Sequence, residues 1–411
     1  MTTLTNVNIT SQAFKANPYP FYARLRAEEP VVRVAIPGKQ FVWLITRYDD
    51  VAAALKDERF VKNRRNAKSQ DQLAKEPWMP AFAKAMESNM LDLDAPDHTR
   101  LRGLVHKAFT PKLIEQMRDR VQSITDELID AALVRGEMDL IQDFALPLPV
   151  TVIADILGIP PEDRMKFHKW SNAMIASSAS DWGRLLAIPN AYQLIQYVRH
   201  FIQMRRADPR DDLTTALIQA REGSDQMTED ELVAMVIILL IAGHETTVNL
   251  IGNGMFALME YPDQMALLRN DPTLIRTAIE ELLRFYSPVE TATERYARED
   301  ITIQGVTIPR GEMVFAAIAS ANRDERQFEH PNTLDITRDP NRHLAFGQGV
   351  HYCVGAPLAR LEGQIAINML LARMPDIQLA VMPGALRWNK GLTLRGLKSL
   401  PVMFSKRRAT A

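Results

Sequence analysis

The chain has 411 residues, 46% of them hydrophobic and 24% charged, an ordinary globular composition with enough apolar material for a large buried core. Lys and Arg total 49 against 50 Asp and Glu, a formal net charge of −1, so the positive excess expected of a nucleic-acid binder is absent. A single cysteine excludes an intramolecular disulfide framework and fits a reducing compartment.

Helical patterns dominate in chain order. Residues 21–29 make a short amphipathic helix stopped by Pro30. Residues 31–35 and 41–46 read as a strand pair turned at Pro37-Gly38. Segments 98–109, 113–133, 146–157, 162–175 and 191–206 space their apolar residues as helices do. Thr228 and Glu231 form a capping-box pattern ahead of a helix that runs to about Met259. Its residues 232–242 are the longest apolar run, well short of the roughly 20 residues that span a bilayer. They read as a helix buried through a large core. Residues 272–286 form another helix, with Asp271 as N-cap. Residues 301–303 and 306–308 flank Gln304-Gly305 as a hairpin. A last long helix covers 354–373, and strand patterns return after Ile377. The fold class is mainly α with small β-sheets. One domain over 1–411 is expected, because no Ser/Gly tract, charge run or repeat marks a linker. The first ten residues lack the basic and apolar regions of a signal peptide. The expectation is a cytoplasmic, soluble monomer with no membrane anchor.

The lone Cys353 sits in a loop with Gly347, Gly349 and Gly355, which allow tight turns and close backbone approach to a flat ligand. It lies just before the last long helix, whose first N–H groups have no intrahelical partner and favour a thiolate. Such a sulfur suits a soft axial ligand of haem iron. The loop Phe346-x-x-Gly349-x-x-x-Cys353-x-Gly355 resembles the haem-binding loop of the cytochrome P450 family. The resemblance implies haem b as cofactor, Cys353 as the iron ligand and Phe346 packed near the sulfur.

The middle of the longest helix reads Ala242-Gly243-His244-Glu245-Thr246-Thr247. Glycine costs roughly 1 kcal/mol in a helix interior, so a packing or functional reason is expected. A zinc-protease reading fails, because the second histidine would fall at Val248. Thr246 can bond back to the Ala242 carbonyl and loosen the ladder, opening a groove beside a cofactor. These residues resemble the family's acid–alcohol motif. By that resemblance Thr246 would hydrogen-bond dioxygen and Glu245 would relay protons, with Ala242 and Gly243 against the cofactor.

Glu281 and Arg284 stand at i and i+3 and resemble the family's Glu-x-x-Arg pair, with Arg338 as the second arginine. Their implied role is structural. His98, Arg102, Arg295 and His343 match family positions that meet the haem propionates, and His351 reads only as a loop hydrogen-bonding group. The resemblance extends over nearly the whole chain, including Asn17-Pro18-Tyr19-Pro20, Asp94-Ala95-Pro96-Asp97 and Arg395-Gly396-Leu397.

The implied reaction is hydroxylation or epoxidation of a lipophilic small molecule with O2. Electrons would come from NAD(P)H through a separate ferredoxin or flavodoxin and its reductase, since 411 residues leave no room for a fused one. A docking site using Lys107, Lys112 and Arg360 is expected. Family topology places substrate against residues 78–90 and 174–186, Ile238, Leu239, Val289, Ala292, Leu392 and Thr393. A peroxide-driven haem-thiolate enzyme and a non-catalytic partner-recruiting protein are the alternatives. Neither needs the Glu245-Thr246 pair.

Overall fold

A 32-residue helix, Glu229–Glu260, runs through the middle of the protein. Its N-terminus carries the expected capping box: Thr228 accepts from the Glu231 N–H, and the Glu231 side chain accepts from the Thr228 N–H. Met235, Val236 and Ile237 are all buried in succession, as a helix apolar on every side must be. It is the one helix among the described residues long and apolar enough to cross a membrane by composition, and 67% of its most apolar stretch is buried inside the protein. The computed structural model describes residues 7–38, 40–74, 86–164, 166–167, 170, 181–221 and 225–406.

Around this helix pack Pro147–Leu157 on one side and Ala356–Arg373 on another, in one large apolar core. Glycines let the helices approach. A Cβ on Gly363 would come within 3.0 Å of Leu250 Cδ2, and one on Gly254 within 3.2 Å of Ile367 Cδ1. A five-stranded sheet stands apart from this core. Its order is Val31–Ile36, Gln40–Ile45, Met313–Ala316, Arg295–Ala297 and Phe60–Val61. The expected hairpin over 31–46 forms, and so does that of Ile301–Ile303 with Val306–Ile308. Gln304 and Gly305 both take positive φ in its turn (51° and 77°), as a two-residue hairpin turn requires.

Some expected elements differ. The helix expected over 113–133 is two, Pro111–Gln116 and Arg118–Arg135, broken at Met117. The one expected over 272–286 opens as a 3-10 turn before Ile275–Phe285. The last helix starts at Ala356, not Val354, with Pro357 in its first turn. Of the segment 162–175, a 3-10 turn at Pro161–Asp163 is described and residues 165, 168–169 and 171–175 lie outside the described residues. Helices Tyr48–Lys56 and Pro262–Asn270 were not anticipated.

Candidate active site

Cys353 lies between the 3-10 turn Gly349–His351 and the helix that begins at Ala356. Its N–H donates to the Phe346 carbonyl at 2.9 Å, which fastens the two ends of the loop. Its sulfur accepts from the backbone N–H groups of Gly355 and Ala356. Burial pushes the thiol up, and those N–H groups together with the charges of Arg102 and Arg360 pull it back. Dense protein surrounds the sulfur, yet Cys353 keeps exposed surface, so it borders an internal space. Ala242, halfway along a buried helix, is exposed in the same way.

Gly349 has φ +74°, and a Cβ there would stand 2.9 Å from the Leu55 carbonyl oxygen. The missing Cβ thus allows a close approach to the protein's own backbone. Gly243 has the packing reason that a glycine inside a helix leads one to expect. Its bare face lies toward Ile153, where a Cβ would meet Cδ1 and Cγ1 at 3.0 Å. Gly243 lets two helices touch, while Ala242 and Thr246, four residues apart, share another face. The Thr246 hydroxyl donates to the Ala242 carbonyl at 3.0 Å, the back-bond the sequence predicts. Burial alone raises Glu245 from its ordinary carboxylate value. Ile238 lies on the Ala242 and Thr246 face by the same four-residue spacing, whereas Leu239 is buried in the main core.

Beside the cysteine loop the structure gathers basic side chains. His98 is buried with its Nε2 unpartnered, and its ring centroid lies 4.2 Å from that of His351. Arg295 is buried, gives weak bonds to Phe60 O (3.3 Å) and Leu55 O (3.4 Å), and leaves Nε unpartnered. Burial pushes it down to about 10. Burial, then His98, Arg295, Lys62 and Arg102, push His351 down to about 2, so its ring is neutral at physiological pH. Arg102 donates to the Tyr352 carbonyl at 2.7 Å. Asp94 bears on both His98 and Arg295, but its oxygens accept from Lys62 N, Asn63 N and Asn66 Nδ2. A cluster of buried donors without an anion of its own is a site for one.

His343 does not join this cluster. Its Nε2 lies 2.9 Å from Glu280, which also takes both forks of Arg360 at 2.7 and 2.8 Å. Burial would raise Glu280, but the bonds from Arg360 and His343 outweigh it and hold the carboxyl at about 2. Arg360 lies over the Phe346 ring, 4.4 Å from its centroid. It is therefore committed within the protein and is no free docking cation, as the sequence had suggested. Lys107 donates to the Arg221 carbonyl at 3.0 Å, and Lys112 is exposed. His351, read from sequence as a loop residue, is the member that reasoning missed. The signal was its place two residues before Cys353, next to the donors the cysteine loop presents.

Glu281 and Arg284 are both fully buried and paired at 2.7 Å, with Arg338 3.2 Å from the same carboxylate. Asp335 N and Asn341 Nδ2 also donate to Glu281, and Arg284 donates to three carbonyls, of Asn322, Pro331 and Thr333. This network ties the helix Ile275–Phe285 to the stretch leading into the cysteine loop. Of the expected substrate residues, Val289, Ala292, Leu392 and Thr393 are half-buried, and residues 78–85 and 174–180 lie outside the described residues.

A lone cysteine under main-chain donors, beside buried basic groups that lack an anion, has the form of a haem-thiolate centre. The comparisons with known proteins agree. A family model described as Cytochrome P450 matches residues 4–374. Cytochrome P450 107B1 of Saccharopolyspora erythraea is 46% identical over 95% of this chain and 96% of its own. Cytochrome P450 monooxygenase PikC of Streptomyces venezuelae is 44% identical over 97% of this chain and 93% of its own. The solved structure of PksS, the cytochrome P450 of the Bacillus subtilis 168 bacillaene polyketide synthase, matches with a TM-score of 0.90 at 44% identity, covering 97% of this chain and 100% of that one. The chain belongs to the cytochrome P450 family, and it is an oxidoreductase of the monooxygenase kind. Family membership implies haem.

Proposed function

We propose that this enzyme oxidises a lipophilic small molecule of polyketide type, by hydroxylation or epoxidation, using O2 and electrons from a separate redox partner. The observation that carries the reading is Cys353: the chain's one thiol, at a helix head, with its sulfur accepting main-chain N–H groups beside an internal space. Half-buried apolar residues, Ile238, Val289, Ala292 and Leu392, support a lipophilic substrate. The name of PksS, with its polyketide synthase, supports the polyketide class, and that of PikC supports monooxygenase activity.

Cys353 would hold haem b through its sulfur, and His98, Arg102, Arg295 and His351 would meet the two propionates. Haem, when bound, supplies the activation of O2 and the transfer of one oxygen atom. The protein's own part is electrostatic and positional. Gly355 and Ala356 donate to the sulfur and steady its charge. Arg360, whose charge bears on the sulfur, is held by Glu280 and lies over the Phe346 ring, which would pack near the sulfur. With its proton given to the Ala242 carbonyl, Thr246 Oγ1 turns lone pairs toward the open side and can accept from a donor there. Glu245, raised by burial, takes up and releases protons more readily near neutral pH than an exposed carboxylate. Electrons from NAD(P)H would arrive through a ferredoxin or flavodoxin and its reductase.

The test is the carbon monoxide difference spectrum of the reduced protein, on wild type and Cys353→Ser. A thiolate-type spectrum lost in the variant is expected. A Cys353→Ser protein that keeps its porphyrin and an unchanged spectrum would sink the assignment. Turnover with O2 and a surrogate reductase, measured against turnover with peroxide alone, then separates the monooxygenase from a peroxide-driven enzyme.

A further inference from the structure

One buried ion pair has no part in that chemistry. Lys15, in the short helix Gln12–Ala16, is fully buried, and its Nζ lies 2.8 Å from Glu290 Oε2. Tyr22 donates to the other carboxylate oxygen at 2.7 Å. Lys15 also reaches the Leu392 carbonyl at 3.3 Å, and the Glu290 N–H donates to Thr393 O at 2.7 Å. Arg395 closes the group by donating to the Lys15 carbonyl at 2.9 Å, stacked 3.8 Å over the Trp388 ring. One lysine near the start of the chain thus holds both segments proposed to meet substrate, 289–293 and 392–394.

Apolar residues of similar volume would stabilise such a site as well as a buried ion pair does, so the pair is weak evidence for stability. Direction is what an apolar filling lacks. The Glu290 carboxylate is bonded on both oxygens and its N–H is bonded as well, which leaves the main chain there one position. Arg295, in the cluster of unpaired cations, is only five residues on, at most about 18 Å of extended chain. A fixed Glu290 therefore fixes the wall between itself and the cofactor edge.

We propose that Lys15 and Glu290, with Tyr22, are positioning residues that set which apolar substrates this enzyme accepts, by holding segment 289–293 and the turn at Leu392 in register. The inference rests on the haem-thiolate reading and deepens it.

The ferric holoenzyme is titrated with imidazole, which needs only access to the iron, and with 1-dodecylimidazole, whose chain needs the apolar wall. The Soret band reports both. The variants are Glu290→Gln, Lys15→Met, and the double Lys15→Met/Glu290→Leu, which buries no unpaired charge and stays folded where the single changes do not. Imidazole affinity is expected to stay within about twofold of wild type, and 1-dodecylimidazole affinity to change about tenfold in the double variant at an unchanged thermal midpoint. A double variant that discriminates between the two ligands as wild type does overturns the proposal, and so does a parallel loss of both. Absence of any Soret shift with imidazole in wild type overturns the haem-thiolate reading itself, and this inference with it.

Discussion

Glu280→Gln tests the electrostatics beneath the cysteine loop. Glu280 is about a quarter exposed, and Arg360 and His343 hold its carboxyl at about 2 against an ordinary 4.5. At about 1.36 kcal/mol per pH unit, that gap corresponds to about 3 kcal/mol of native-state stabilisation. Partial exposure of both Glu280 and Arg360 argues for a discount, to about 2 kcal/mol. The sign follows from linkage. A carboxyl depressed in the folded state stabilises fully above its unfolded value and loses that contribution as pH falls toward its folded value. The window is therefore pH 4.5 down to about 2. Guanidinium unfolding of the holoprotein, wild type against Glu280→Gln, should show a gap of about 2 kcal/mol at pH 7. That gap should shrink steadily below pH 4.5. A gap that stays constant from pH 7 to pH 3 would refute the reasoning, because the missing stability would then not be electrostatic. The Soret band followed in the same samples tells whether freeing Arg360 from Glu280 disturbs the Phe346 ring it covers.

Arg284→Met takes the two-pronged partner from the buried Glu281 carboxylate, which keeps only Arg338 at 3.2 Å as a counter-charge, so a loss of about 3 kcal/mol and less soluble holoprotein are expected on expression. Gly396→Ala would bring a Cβ to 1.7 Å from Asn249 Oδ1. It should cost about 1–3 kcal/mol in chemical unfolding, and Asn249→Ala in the same chain should recover most of it. Thr246→Ala removes the hydroxyl but not the fold, so product formation with O2 should fall by about a hundredfold while the carbon monoxide spectrum is unchanged. Glu245→Gln should lower the same rate and flatten its pH dependence. An unaltered pH profile would remove Glu245 from the proton path.

The parts legible in the sequence were those whose chemistry is local. The Thr228–Glu231 cap needs residues three apart, and the Thr246 back-bond needs residues four apart, so both could be read from spacing alone. The cysteine loop was legible because glycines, a helix head and one thiol stand together within nine residues. Spacing did not say what faced the glycines. Nothing local says that Gly243 meets Ile153 or that Gly349 meets the Leu55 carbonyl, since both partners come from other elements. His343 and His351 show the same limit. Both are histidines near the cysteine, and only the packing of Glu280 against one and His98 against the other tells them apart.

The longest-range feature was the least legible. Lys15 and Glu290 are 275 residues apart, and each by itself is an ordinary charged residue. Lys15 follows Phe14 near the end of a five-residue helix, and Glu290 sits in an irregular stretch after Pro288. No periodicity predicts burial for either, and composition predicts exposure for both. They become a buried pair because the Arg395 turn, pinned by Asn253 to the central helix, brings the two ends of the chain together. The burial of charge at that junction is therefore a property of the tertiary fold, and its reason has to be sought in what the joined segments do. Both segments border the proposed substrate wall, so substrate discrimination is the property in which removal of the pair should register first.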